Sequence, residues 1–333
     1  MIGAHLVGSV PLTDAESVFR AVATGLGARL SRIPDGETGS RKDWVAWQYA
    51  VLCATPGLAP IPVGDRHYLR RQMVHLVGDR VAPQFGSLGY ADAALASFEI
   101  FDRLQRAGVI PARARFQVSL PTPLAPLTVF VDLEDRPIVE PAYAAQMLVE
   151  LRRIVDGIPH DRLAIQWDVA VEIGLVEGVW PAHFADVEAG VHARVAQLAA
   201  AVPLDVELGY HLCYGDFGHR HFASPADAAT LVRFANALAT GSRPIAWIHM
   251  PVPINWTTSS SYAPLAKLAL APATELYLGV VHLGDGLEGT LRRIALARAV
   301  VPRFGLATEC GWGRRPADSV QPLLALHEAA LAT

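Results

Sequence analysis

Cysteine is scarce in this chain. Cys53, Cys213 and Cys310 are the only three among 333 residues. Thiols so few and so scattered cannot build a disulfide framework, and each one alone packs as a small hydrophobe, binds metal or reacts. Long apolar runs are missing too. No stretch of 18 or more apolar residues occurs, so no membrane-spanning helix and no membrane partner is expected. Basic residues are not in excess: 28 Lys and Arg face 32 Asp and Glu, a net charge of −4, which argues against a nucleic-acid partner. Charge of either sign is sparse at 18%, against 52% apolar residues, and that balance excludes a disordered chain. The N-terminal "MIGAHLVGSV" lacks a basic and then apolar leader pattern and reads as a strand. A cytoplasmic enzyme is therefore the expectation.

No short repeat or low-complexity tract breaks the chain, so residues 1–333 are read as one domain. Short apolar runs that end in polar residues alternate with helical stretches. The strand candidates are 4–9, 28–37, 114–120, 163–170, 205–213, 244–250, 276–284 and 304–310. Continuous apolar runs of this kind suit a parallel sheet covered on both faces. Helical periodicity marks 142–158, 187–202, 225–241 and 288–301. Thr13 with Glu16 reads as a capping box ahead of "SVFRAVATGLG", and Gly25 or Gly27 as its end. Eight strand–helix units predict an α/β fold, a single (β/α)8 TIM barrel. Residues 38–112 are too long for a connection and are read as a helical insertion between strands 2 and 3, partly covering the barrel mouth.

In such a barrel the chemistry sits at the C-terminal ends of the strands. Those ends read Ser9, Asp35 and Glu37, Ser119 and Thr122, Asp168, His211 and Cys213, His249, His282 and Asp285, then Glu309 and Cys310. A core strand gains nothing in packing from ending in His, Cys or Asp. The densest cluster is "HLCYGDFGHRH" (211–221). His211 and Cys213, two apart on a strand, face one side, and Cys310 ends the last strand at the same mouth. One imidazole and two thiolates make a soft metal set suited to zinc. A buried thiol beside a surface histidine is the bland alternative for His-x-Cys taken alone.

These residues resemble the catalytic, C-terminal barrel of cobalamin-independent methionine synthase. "HLVGSVPLT" (5–13) resembles its first strand and Gly-Ser turn, and "DGETGSRKDWV" (35–45) its Gly-Glu-x-x-Arg-x-Asp-Met-Val element. "IQWDVAVEIGL" (165–175) is similar to its Gln-Ile-Asp-Glu-Pro strand, and "HLCYGDF" (211–217) to its His-Met-Cys-Tyr zinc strand. "LGVVHLGDG" (278–286) and "ATECGWGRR" (307–315) resemble its last two strands. The resemblance implies Zn2+ on His211, Cys213 and Cys310, and a small-molecule thiol that enters as the next ligand. It also implies that Ser9, Glu37 and Asp168 hold the amino-acid part of homocysteine. Ordinary capping, or an ion pair of the carboxylates with Arg32 or Arg41, is the other reading of those residues.

Departures from the family pattern bear on the chemistry. The glutamate that supplies the family's remaining zinc ligand is matched in "IAWIHMPVP" (245–253) by His249. His249 is therefore read as a metal ligand, as a general acid or base beside an open metal position, or as a core histidine bonded to backbone. Glu309 replaces the family's aspartate before the last cysteine. Asp216, His219 and His221 extend the zinc strand as loop residues, with Asp216 a candidate to orient a ligating histidine. A single barrel also lacks the second half that helps hold folate, so the alkyl donor need not be methyltetrahydrofolate. Single-barrel relatives in the methionine synthase and uroporphyrinogen decarboxylase superfamily include epoxyalkane:coenzyme M transferase, which attacks an epoxide with a zinc thiolate. The decarboxylases themselves lack the zinc set.

Three functions follow. The first is zinc-dependent methyl or alkyl transfer to a thiol, with Glu37, Asp168 and His249 in the catalytic machinery. The second is a zinc lyase or hydrolase that activates water, with His249 moving protons. The third is a non-catalytic module stabilised by zinc. Of the loop aromatics Trp44, Trp47, Trp256 and Trp312, the last is the best placed to wall a substrate. Arg314 and Arg315 could bind an anionic group.

Overall fold

A computed structural model describes residues 1–62, 72–215 and 221–333 of the chain. Asp216 and His219 thus lie outside the described residues. The central element is a parallel sheet of seven strands in the order β1-β4-β5-β6-β7-β8-β9. Its strands are β1 (Arg32–Pro34), β4 (Arg115–Pro121), β5 (Leu163–Val169), β6 (Glu207–Leu212), β7 (Trp247–Pro251), β8 (Glu275–Val281) and β9 (Gly305–Thr308). Every residue of β5 is buried, as its unbroken apolar run requires of a strand covered on both faces.

The stretch 4–9 expected as a strand is less regular. Ala4 bridges in parallel to Leu30 beside β1 and to Leu306 in β9, the two ends of the sheet. Beyond it the ladder stops for a physical reason. The Leu6 and Val7 carbonyls accept from the Gln117 amide at 3.0 and 2.9 Å, and Val7 also accepts from Gln166 at 2.6 Å and Ser119 at 2.9 Å. Side-chain amides on β4 and β5 thus take the place of strand N–H donors. At the other end of the sheet Arg32 in β1 ties in Glu207 of β6 at 2.5 Å and Glu275 of β8 at 2.7 Å.

Helices cover the outside. They are α1 (Ala15–Leu26), α2 (Gln48–Ala54), α3 (Tyr90–Arg106), α4 (Leu124–Phe130), α5 (Arg136–Gly157), α6 (Val171–Val176), α7 (Val187–Ala200), α8 (Ala229–Ala239), α9 (Ser259–Tyr262), α10 (Gly286–Arg298) and α11 (Val320–Leu331). The α1 start differs from the expected capping box. Asp14, not Thr13, is the N-cap and accepts from Ser17 N at 2.8 Å, while Glu16 reaches sideways to Arg20 and Arg103. A carboxylate at the cap complements the exposed N–H groups and the helix dipole better than a hydroxyl.

Residues 38–112 are not purely helical. They hold α2, an antiparallel pair β2 (Leu58–Pro60) and β3 (Val74–Leu76), and α3. Helix α3 packs between α1 and α5 in the outer layer. Its N-terminus is capped by the buried Glu150 carboxylate of α5, which accepts from Leu88 N at 2.9 Å and Ala91 N at 2.7 Å. Asp135, before α5, accepts from Leu76 N at 2.7 Å and so ties the two-stranded ribbon to the main body. Alternating polarity could not foretell a ribbon of three-residue strands. No helix among the described residues is long and apolar enough to cross a membrane.

Candidate metal centre

Register builds the site. Across β5, β6 and β7, Asp168 pairs with His211, and His211 with His249. Paired residues in neighbouring strands lie about 4.8 Å apart and face the same way. Residues near the strand ends, remote in sequence, therefore form one row. The last strand joins them through an irregularity: the β8–β9 register shifts between Leu278 and Val281. Gly279 permits it, since a Cβ there would sit 2.8 Å from Glu309 Cα and from Thr308 O. The backbone that carries Cys310 can thus lean across β8.

His211, Cys213 and Cys310 offer ligand atoms that all lie within 4.8 Å of one another. The two sulfurs are 3.8 Å apart, and Cys310 Sγ is 3.8 Å from His211 Nε2. In tetrahedral zinc with Zn–S bonds of about 2.3 Å, two sulfurs sit about 3.8 Å apart, and a sulfur and an imidazole nitrogen about 3.6 Å. The donor set and its spacing therefore fit zinc. Gly215 N–H donates to Cys213 Sγ at 3.2 Å, a contact that favours a thiolate. Cys53 lies apart, half-buried on α2.

His249 is fully buried beside this set but outside it. Its Nδ1 meets His211 Nδ1 at 2.6 Å, and its Nε2–H donates to the Thr308 carbonyl at 2.9 Å. Both ring nitrogens are thereby engaged by the protein, and burial lowers its pKa to about 3. The His211 pKa also falls well below the ordinary value, through burial first and then the neighbouring His249 and His5.

Glu37, in the turn after β1, and Asp168, near the end of β5, are two carboxyls that act on each other electrostatically. Burial raises both carboxyl pKa values well above the ordinary range, and the Asp168 charge raises Glu37 further. Asp168 accepts from Gln166 at 2.9 Å, which opposes the rise, while the Cys310 sulfur adds to it. Glu37 adopts a left-handed backbone with φ of 47°, as does Trp44 with φ of 54°. Such conformations cost roughly 1–3 kcal/mol each and persist where the surroundings impose them. Here the Asp35 carboxylate holds the turn by accepting Glu37 N at 2.8 Å, Arg41 at 2.7 Å and Ser97 at 2.8 Å. Arg41 is thus paired with Asp35, and Arg32 with Glu207 and Glu275, so neither neutralises Glu37 by a direct ion pair. The Arg314 charge acts on Glu37 in the opposite sense and lowers its pKa.

Ser9 joins the first loop to the last. Its carbonyl accepts Trp312 N at 2.7 Å, and its hydroxyl accepts Gly313 N at 3.1 Å. Trp312 does not wall the mouth as expected. It is 1% exposed, its indole N–H donates to Thr308 Oγ1 at 2.8 Å, and its ring lies 5.8 Å from that of His327. An indole this large stabilises the loop most when it is buried beneath it. Trp256 is likewise buried and donates to the Pro225 carbonyl, and Trp47 packs on Tyr90. Asp285 forms a two-pronged pair with Arg293 at 2.7 Å and is spent on holding α10. Glu309 stands between His282, at 3.3 Å, and His221, at 3.5 Å.

Sequence reasoning missed Glu172. It follows β5 in the first turn of α6, is fully buried, and accepts from Thr122 Oγ1. Burial pushes its carboxyl up to about 7. The signal was a second acid four residues after Asp168 in an otherwise apolar stretch.

No protein-family model matches the chain, and no curated protein sequence matches it. Solved structures do. A Listeria monocytogenes protein assigned as a vitamin-B12-independent methionine synthase aligns over 99% of this chain and 98% of its own, with a TM-score of 0.57 and 14% identity. A methyltransferase from Methanosarcina mazei aligns over 97% of this chain and 94% of its own, with a TM-score of 0.50 and 12% identity. The chain shares the fold of these two proteins. At such low identity the likeness extends to the fold alone, and it covers each chain nearly end to end.

Proposed function

We propose that the chain is a zinc-dependent enzyme that transfers a methyl or larger alkyl group to a thiol. The observation that carries this reading is the His211, Cys213 and Cys310 set, whose sulfur spacing of 3.8 Å suits tetrahedral zinc. The names of the two structural neighbours point the same way, one a methionine synthase and the other a methyltransferase. In this reading the fold is a closed (β/α)8 barrel, with the segment around Ala4 as its first strand, and 38–112 is an insertion over its mouth.

Three protein ligands leave a fourth position for substrate. Bound zinc would hold the entering thiol as a thiolate near neutral pH, where a free thiol is mostly protonated. The chain's own residues do the positioning. Glu37 and Asp168 are two carboxyls whose ionisation is disfavoured by burial and, at Glu37, by its neighbour. A substrate ammonium supplies the missing positive charge and restores both to carboxylates. Ser9 sets the height of the Cys310 loop over that cradle through Trp312 and Gly313. Arg314, whose charge lowers the Glu37 pKa, is the candidate to meet a substrate carboxylate. In the transfer, a carbon–sulfur bond forms as the donor's bond to that carbon breaks, and the electron pair leaves with the donor.

Water activation by a lyase or hydrolase needs His249 free to move protons. With one nitrogen on His211 and the other on Thr308, it is poorly placed for that task. A purely structural zinc usually has four protein ligands. Among the described residues the cluster offers three. Cobalt(II)-substituted protein tests the choice. Its absorption is recorded before and after homocysteine, coenzyme M and cysteine are added in turn. New sulfur-to-cobalt charge-transfer intensity with one of them is expected. Protein that holds one cobalt and responds to none of the three would overturn thiol activation for these acceptors.

A further inference from the structure

His249 occupies a position from which it can act on the metal set without joining it. A carbonyl oxygen only accepts, so the 2.9 Å contact to Thr308 puts a hydrogen on His249 Nε2. A neutral imidazole with its proton on Nε2 has a lone pair on Nδ1. The 2.6 Å contact between the two Nδ1 atoms then requires the hydrogen to come from His211. With its proton on Nδ1, His211 has its lone pair on Nε2, the nitrogen that lies 3.8 Å from Cys310 Sγ.

We infer that His249 is a positioning residue that relays the direction of the Thr308 carbonyl through two imidazoles and so fixes His211 in the tautomer that offers Nε2 to a metal. Its purpose rests on the metal reading given above, while the tautomers themselves do not. The sheet supports the relay geometrically, because His211 and His249 are register partners on adjacent parallel strands. So does the Cys310 loop. Thr308 Oγ1 donates to the Cys310 carbonyl at 2.7 Å and accepts the Trp312 indole at 2.8 Å, which pins the residue whose carbonyl starts the chain. The end of β9, which leads into Cys310, therefore also sets the protonation pattern of His211 on β6. Orientation of a ligating histidine by a partner on its other nitrogen is a general device of metal sites. A second imidazole here takes the part more often played by a carboxylate, which keeps the partner neutral.

The test reads tautomers directly, without metal. Two-bond 1H–15N correlation spectra of the metal-free full chain, labelled at histidine, are expected to show His249 protonated at Nε2 and His211 at Nδ1. His211 protonated at Nε2, or His249 at Nδ1, overturns the relay. Zinc affinity, measured by competition with a chromophoric chelator, gives a second readout. His249→Leu is expected to weaken binding by roughly 10- to 100-fold. His249→Gln, whose amide can both accept and donate, is expected to recover part of that loss. Equal affinity of His249→Leu and the unaltered chain overturns the relay. An unaltered chain that binds no zinc overturns the metal reading instead, and the metal-free spectrum still decides the relay on its own.

Discussion

The Cys213 and Cys310 sulfurs lie 3.8 Å apart, although 97 residues separate them in the chain. Two thiols at that distance can share a cation, or close into a disulfide with a small backbone movement, since a disulfide needs about 2.05 Å. Cys213→Ser and Cys310→Ser are each expected to drop bound zinc from one equivalent to a small fraction, measured by elemental analysis after dialysis. Removing zinc with a chelator should also lower the melting temperature, because a ligand bound only to the folded state stabilises it. Metal-free protein treated with a mild oxidant should lose two titratable thiols and keep that of Cys53. Zinc-loaded protein should keep all three.

The carboxyl cradle makes its own prediction. Glu37→Gln and Asp168→Asn should leave zinc content unchanged and weaken binding of an amino-acid thiol by roughly ten- to a hundredfold, the scale of one hydrogen bond to a charged group. Calorimetric titration with homocysteine checks this. A thiol without an ammonium, such as coenzyme M, should bind the variants and the unaltered chain alike. Equal loss for both thiols would show that the carboxyls support the fold and not the ammonium.

Gly8→Ala separates stability from binding. A Cβ at Gly8 would sit 2.3 Å from Glu37 Oε1 and 3.3 Å from Ser119 Oγ. The first of these is the far end of a flexible side chain, which can swing away at a cost of about 1 kcal/mol or less. Chemical unfolding should therefore change little, while affinity for the amino-acid thiol falls as it does in Glu37→Gln.

Glu172 predicts a pH dependence of stability. Its carboxyl titrates near 7 in the folded chain, against an ordinary value of 4.5. Between those two values the folded chain keeps a proton that the unfolded chain has released. The folded state binds more protons there, so stability is full below pH 4.5 and falls as pH rises towards 7, by up to about 3 kcal/mol. Denaturant unfolding at pH 5 and pH 8 should show this loss in the unaltered chain. Glu172→Gln should be measurably flatter, and an equal slope in both would reject the assignment.

Much of the architecture is written in local pattern. The runs 163–170, 205–213 and 276–284 became β5, β6 and β8 because an apolar run bounded by turns has one stable use, a strand covered on both faces. His211, Cys213 and Cys310 were legible as a soft metal set because ligand chemistry belongs to residue type, and strand ends converge on one side of a parallel sheet. The irregular first segment was not legible, since its ladder is replaced by Gln117 and Gln166 amides from strands more than a hundred residues away.

What the tertiary structure alone decided is direction. The sequence determined that His249 ends a strand near the thiols. Only packing turned one of its nitrogens to Thr308 and the other to His211. The sequence offered Trp312 two residues from Cys310, and the fold buried it beneath the loop. It marked Glu37 and Asp168 as polar strand ends, and only the fold supplied the surroundings that raise their pKa values. Residue type sets which bonds a side chain can make. Its orientation and dielectric surroundings, which set the bonds it does make, come from neighbours distant in the chain.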